Sequence, residues 1–336
     1  MSSKKSGFVW NATKILLAIA LVGFIYSKTS INDIIDLFRY VSFLWLAISF
    51  ILFFLMTMMK AIQYYMLSGR QAPYPRVLSI VVVQNVITNF IATGAGIASY
   101  LTMFTVDEGV KLRRAVATFI IAKVGDLVIV WSLLLASDLL LWNRIPVLGF
   151  ATLVVLVIIP LAIGVFIALI ILRQKFVGGM RSLAEHLQLE RFSFAQRGFE
   201  ILQFLADQDR SMVFGLLQTA AICSLFYMAL TMAWVYASLR AFSITIPASA
   251  LIFVNSWIQL ISWLPIQVFG GLGVMETSQV YLYNLFGIPA AQMATVSVGL
   301  RVILYLFNLI SLLYLPSQAF LRRKDFSVPS SNERSE

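Results

Sequence analysis

The chain has 336 residues, 60% of them hydrophobic and 12% charged, and carries a net charge of +10. A soluble domain of this length holds about twice that share of charge, so with a mean hydropathy of +0.89 a soluble enzyme is excluded and a polytopic membrane protein is indicated. The basic excess then reads as loops facing anionic headgroups rather than as a nucleic-acid surface.

In chain order, Lys4, Lys5 and Lys14 precede an apolar run from Ile15 to Tyr26. No small-x-small cleavage pattern follows at Tyr26-Ser27-Lys28, so a retained first span is expected. Runs of spanning length, about 20 residues, lie at about 10–27, 41–67, 115–136, 147–172, 211–239 and 291–316. Two further apolar runs, 77–104 and 248–287, are interrupted, the first at Thr93-Gly94-Ala95-Gly96 and the second from Leu264 to Glu276. In the second, Pro265 removes a backbone donor, and Gly270, Gly271 and Gly273 loosen the helix. Broken backbone in hydrocarbon is tolerated only where protein buries it or where it lines a wet cavity. Each interrupted run is therefore read as a re-entrant helical hairpin, the alternative being a kinked spanning helix.

The placement of Lys and Arg separates these alternatives. If both interrupted runs turn back, six segments span, both termini are cytoplasmic, and 18 basic residues lie inside against 4 outside. If both cross, the split is 11 to 11. The positive-inside rule selects the first arrangement. It exposes two units, 41–136 and 211–316, that run in opposite senses. Gly96 precedes Lys123 by 27 residues, and Gly273 precedes Arg301 by 28. Inverted repeats with broken helices mark alternating-access transporters. The expected fold class is thus an all-α polytopic membrane protein, one transmembrane domain over 1–324, with six spanning helices and two re-entrant helical hairpins in inverted repeats.

The polar stretch 173–210 is expected to form an amphipathic helix on the inner membrane surface, joining the units. Within it, Asp207-Gln208-Asp209 matches a DxD metal signature, but no partner site surrounds it in the sequence. The tail 325–336 is polar and is expected to be disordered. A single Cys223 and a single His186 leave no disulfide framework and no metal centre of either residue type. No catalytic residue, metal or cofactor is expected, and the chain is read as a non-enzyme.

Five charged residues fall within apolar segments: Lys60, Lys123, Asp126, Glu276 and Arg301. Intramembrane charges mark a pathway or ligand site by default. Lys60, near the inner end of its run, is placed to snorkel to the headgroups. Lys123 and Asp126, three residues apart, share a helix face and can pair. Glu276 follows the glycine break and can neutralise Arg301; the pair either locks the hairpin or serves a ligand, and the two roles are compatible. An anionic ligand fits best. Helix N-termini at Gly94, Gly96, Gly270, Gly271 and Gly273 would offer backbone N–H groups to a phosphate, with Lys123 and Arg301 adding charge. Asn89, Gln259 and neighbouring polar residues of the first arms would line a wet groove.

The run Gly-Gly-Leu-Gly-Val-Met-Glu at 270–276, then Phe286-Gly287-Ile288-Pro289, Ala294, Arg301 and Tyr305, resembles the transmembrane, flippase-like region of the lysylphosphatidylglycerol synthase (multiple peptide resistance factor) family. The segment from Thr93 to Asp126 resembles its first glycine motif, with Ala98-Ser99-Tyr100 where charged residues are more usual and Lys123 where an Arg is. The resemblance implies lipid translocation by a free-standing member without the aminoacyl-transferase domain. The expected function is a lipid flippase of the plasma or inner membrane for an anionic, phosphate-bearing phospholipid or a polyprenyl-linked lipid. The alternative is a non-catalytic scaffold that delivers lipid to a partner synthase or glycosyltransferase. The expected partners are membrane lipids, with a lipid-modifying enzyme in the scaffold case and no nucleic acid.

Overall fold

The computed structural model describes residues 31–141, 149–172, 174–186, 203, 210–264 and 269–315. The first apolar run, the linker from 187 onward apart from residue 203, the DxD tripeptide and the tail lie outside the described residues. Those described form helices and connecting turns: α1 (Ile31–Arg39), α2 (Phe43–Leu67), α3 (Tyr74–Phe90), α4 (Thr93–Thr102), α5 (Leu112–Leu141), α6 (Gly149–Leu172), α7 (Gln174–His186), α8 (Arg210–Ala241), α9 (Ala248–Ser262), α10 (Val274–Asn284) and α11 (Ala290–Ser311).

Four of these are long and apolar enough to cross a membrane: Phe43–Leu67, Leu112–Leu141, Ser211–Ala241 and Ala290–Ser311. The chain is therefore a membrane protein with an all-α fold among the described residues. Both interrupted runs form pairs of shorter helices. In the first, α3 ends at Phe90 and α4 restarts at Thr93, with Ala92 fully extended between them. Pro73 and Pro247 sit at the N-caps of α3 and α9, where their missing N–H costs nothing. In the second, the break needs glycine: Gly270, Gly271 and Gly273 have φ of 65°, 81° and 85°, a region that side chains disfavour. α4, ten residues long, runs on without a break into a five-residue π-helical turn, Met103–Asp107, so that arm rises about 20 Å; the eleven residues of α10 rise about 16 Å, and both fall short of a hydrocarbon core of about 30 Å.

At the centre α2 and α8 run antiparallel along a continuous seam. Ser49 Oγ lies 2.6 Å from Ser238 Oγ, Phe53 meets Trp234, and the Thr231 hydroxyl donates to the Met56 sulfur. Lys60 sits over the Tyr227 ring, and the Gln63 amide donates to Ser224 Oγ at 2.8 Å. The α2 positions 49, 53, 56, 60 and 63 advance by alternating steps of four and three, the heptad spacing of a left-handed supercoil. Small residues bring other helices close. A side chain at Gly125 of α5 would run into the Ala220 backbone of α8, as expected where membrane helices associate by close packing rather than by hydrophobic exclusion. Two apolar clusters flank the seam. One gathers α9, α10, α11 and the first half of α2, and the other gathers α3, α4, α5 and the second half of α2.

Candidate functional site

The two breaks touch. The Gly270 N–H donates to the Ile91 carbonyl at 3.0 Å, and a Cβ at Gly270 would overlap the Asn89 carbonyl. Here the need for glycine is twofold, a positive φ and a backbone-to-backbone approach. Arg301 of α11 fixes the same turn from its other side. Its Nε donates to Glu276 Oε1 at 2.5 Å and its Nη1 donates to the Gly270 carbonyl at 2.9 Å. Glu276 Oε2 accepts the Gly273 N–H at 2.7 Å, satisfying one of the orphan donors at the start of α10 as a capping-box carboxylate does. Each carboxylate oxygen of Glu276 thereby holds one donor of the turn or of α11.

A second ionic cluster stands on the α2–α8–α5 side. Asp126 of α5 is 1% exposed. Its Oδ2 accepts from Lys60 Nζ at 2.6 Å, and its Oδ1 accepts from Ser224 Oγ at 2.8 Å. Lys60 also donates to Gln63 Oε1 at 2.7 Å. Lys123 Nζ lies 3.5 Å from the same Asp126 oxygen as Lys60, and it stands over the Trp263 ring, 5.1 Å from the centroid. That cation–π contact joins α5 to the end of α9.

Between the clusters is a cavity of about 480 Å³, lined from both halves of the chain. Asn85, Thr88 and Asn89 of α3 face it, as do Asn255 and Gln259 of α9 and Gln279 of α10. Lys60, Lys123, Glu276 and Arg301 complete the polar wall, with apolar surface from Phe53, Ile258 and Leu300 among others. A concave apolar site with a few convergent polar groups is the usual form of a ligand site. The size is within the range of small-molecule pockets. Among the described residues no group of His, Cys, Asp and Glu is placed to hold a metal ion.

A family model for the lysylphosphatidylglycerol synthase transmembrane region matches residues 11–311. The chain belongs to that family. The lysylphosphatidylglycerol synthase transmembrane region is a membrane domain associated with lipid handling, and the match covers both halves of the cavity. No curated protein and no solved structure matches the chain.

In this family member, six of the residues read from sequence as substrate-binding line the cavity: Lys123, Arg301, Glu276, Gly270, Asn89 and Gln259. The others lie elsewhere. Asp126 is sealed behind Lys60 and Lys123. Gly94 is exposed in the first turn of α4, with open space where a side chain would project. Gly96 packs on Thr88 and on the Gln84 carbonyl, so it brings α3 and α4 together. Gly271 and Gly273 are buried in the turn. Lys60 does not snorkel: it is 8% exposed and ion-paired to a residue 66 positions away. Sequence reasoning also passed over Gln279 and Trp263. The former sits one turn beyond Glu276, and that spacing is the signal that places both on one helix face.

Proposed function

We propose that this chain is a lipid flippase of a plasma-type membrane, moving an anionic, phosphate-bearing lipid between leaflets. The observation that carries the reading is the polar, net-cationic cavity at the meeting point of the two broken segments. Counted together, Lys60, Lys123 and Arg301 outweigh Asp126 and Glu276 by one positive charge. An intramembrane site of this kind is costly unless it meets a ligand. The headgroup would cross through the cavity while the acyl chains stay in lipid.

Two features support reading the chain as inverted units, 41–136 and 211–316, within a single transmembrane domain. The lengths of α4 and α10 suit helices that climb from mid-membrane to a surface, which is the geometry of re-entrant hairpins. The second is that α2 and α8, the first spanning helix of each unit, pack antiparallel along the seam. A two-fold axis through the middle of that seam would exchange the units, as in transporters built from inverted repeats.

The test is reconstitution of the full chain into phosphatidylglycerol-containing vesicles with a trace of acyl-labelled lipid, read by bleaching with an impermeant reductant. The protein should make inner-leaflet label accessible. Bleaching confined to the outer leaflet, equal to protein-free vesicles, would overturn transport and favour a scaffold that presents lipid to a partner enzyme.

A further inference from the structure

We infer that the rings of Tyr64, Tyr100, Phe104 and Phe119 form a gate between the cavity and the membrane face at which α2 ends and α5 begins. That face is the cytoplasmic one in the proposed orientation. The inference rests on the reading of the cavity as a passage and adds how one end of it is closed. Tyr64 of α2 and Phe119 of α5 line the cavity. α4 and the π-helical turn run from the break toward the same face, and their Tyr100 and Phe104 are both 0% exposed. Tyr100 is the hub of the cluster. Its ring centroid lies 4.7 Å from that of Tyr64, 4.8 Å from Phe104 and 5.7 Å from Phe119, and its hydroxyl donates to the Ala115 carbonyl of α5 over 3.4 Å. Stacked rings between a polar cavity and a surface make a dry constriction, and such constrictions gate by excluding water.

Two observations set this cluster apart from ordinary core. First, cations of the cavity stand on its rings. Lys60 Nζ is 5.5 Å from the Tyr64 centroid, and Lys123 Nζ is 5.9 Å from the Phe119 centroid. An anion entering the cavity competes for both ammonium groups and so weakens the cation–π contacts that steady the rings. Second, the arm that carries two of the rings has a hinge at the face. Phe104 lies in the π-helical turn, a geometry found mostly at functional sites. Gly109 follows at φ 67° with open space around it. Residues at the ends of elements absorb the backbone change of a hinge. The ion pair of Glu108 with Arg76 of α3, at 3.3 Å, closes this end; the Arg76 side chain is 42% exposed, and exposed pairs hold weakly. At the cavity end the arm is fixed, because Gly96 packs on α3 and the break before it is bonded to Gly270. The arm therefore pivots at the cavity and swings at the face, parting Tyr100 and Phe104 from Tyr64 and Phe119.

Access to a cysteine in the cavity tests this. In a Cys223→Ser background, Asn85→Cys places a thiol on the cavity wall. The full chain in inside-out and right-side-out vesicles is treated with an impermeant anionic methanethiosulfonate, and the adduct is read by intact mass. From the cytoplasmic face, Phe104→Ala should raise the modification rate at least about tenfold, because losing a buried ring weakens the closed state by more than that factor requires. Phe104→Leu, which keeps most of the apolar volume, should raise it less. The rate from the outer face should not rise. Phe119→Ala should act in the same direction as Phe104→Ala, and it carries the test if the latter does not fold. An unchanged rate in alanine variants whose melting temperatures show them folded would overturn the gate, as would a rise from the outer face alone. The transport assay above reads separately. A cytoplasmic rise in labelling without leaflet exchange would remove the flippase reading and leave the gate standing, and leaflet exchange with no response to either alanine would do the reverse.

Discussion

The Gly270 N–H and the Ile91 carbonyl, 3.0 Å apart, fasten the break of one broken segment to the break of the other. The residues are 179 positions apart in the chain, and the contact is backbone to backbone. It is held from behind by Arg301, which binds the carbonyl of the same glycine. Gly270 and Asn89 both line the cavity, so its wall at the break depends on one residue that lacks a side chain.

Gly270→Ala should therefore be damaging. The left-handed backbone alone costs an alanine about 1–2 kcal/mol, and the overlap with the Asn89 carbonyl adds to it. A lower melting temperature in detergent and loss of leaflet exchange are expected. Gly94→Ala, where a side chain meets open space, should change stability by no more than about 0.5 kcal/mol. Equal tolerance at both positions would contradict the contact between the breaks.

The Lys60–Asp126 pair gives a second outcome. Lys60→Met leaves Asp126 buried with only the more distant Lys123. Removing one partner of a buried pair costs about 3–5 kcal/mol. The double variant Lys60→Met, Asp126→Asn removes both charges and should recover much of that loss. Thermal unfolding of the two single variants and the double variant, taken as a cycle, measures the coupling. Additive losses would mean that the pair contributes nothing.

Glu276 and Arg301 should differ in the same way, with a definite order. Arg301→Gln strands a carboxylate that is 4% exposed and frees the Gly270 carbonyl. Glu276→Gln keeps an oxygen able to accept the Gly273 N–H. The arginine variant should be the less stable by about 1 kcal/mol or more, read from melting temperatures in one detergent. The opposite order would mean that the turn is not held from α11.

The central seam is open to a cross-linking check. In a Cys223→Ser background, Ser49→Cys with Ser238→Cys should oxidise to an intramolecular disulfide in membranes, because the two hydroxyls already touch. Ile51→Cys with Ser238→Cys should not, since Ile51 is exposed on another face of α2. A mobility shift on non-reducing gels distinguishes the pairs.

The layout of this chain was legible in its sequence because hydrophobic length and glycine interruptions are local signals. The runs 41–67, 115–136, 211–239 and 291–316 correspond to α2, α5, α8 and α11 to within a few residues, except that α5 extends five residues further toward the C-terminus and α11 ends five residues sooner. The pairing of Glu276 with Arg301 was also readable, since a carboxylate after a glycine break favours the dipole end of the new helix and needs a counter-charge. The partner of Lys60 was not. Depth along α2 suits snorkelling, and nothing near Lys60 in sequence announces an aspartate on α5. Glycine identity was equally mute about purpose. Gly96 packs two helices together, Gly270 admits a neighbouring backbone, and Gly94 does neither. A pattern of glycines carries no record of what approaches them.

The account as a whole turns on two broken segments entering the membrane from opposite faces. In a Cys223→Ser background, single cysteines at Lys111 and Asn284, both exposed, should react with impermeant maleimide in opposite-sided preparations. Position 111 should label only from the cytoplasmic face and position 284 only from the external face. Labelling of both from one face would contradict the inverted arrangement and the cavity reading built on it.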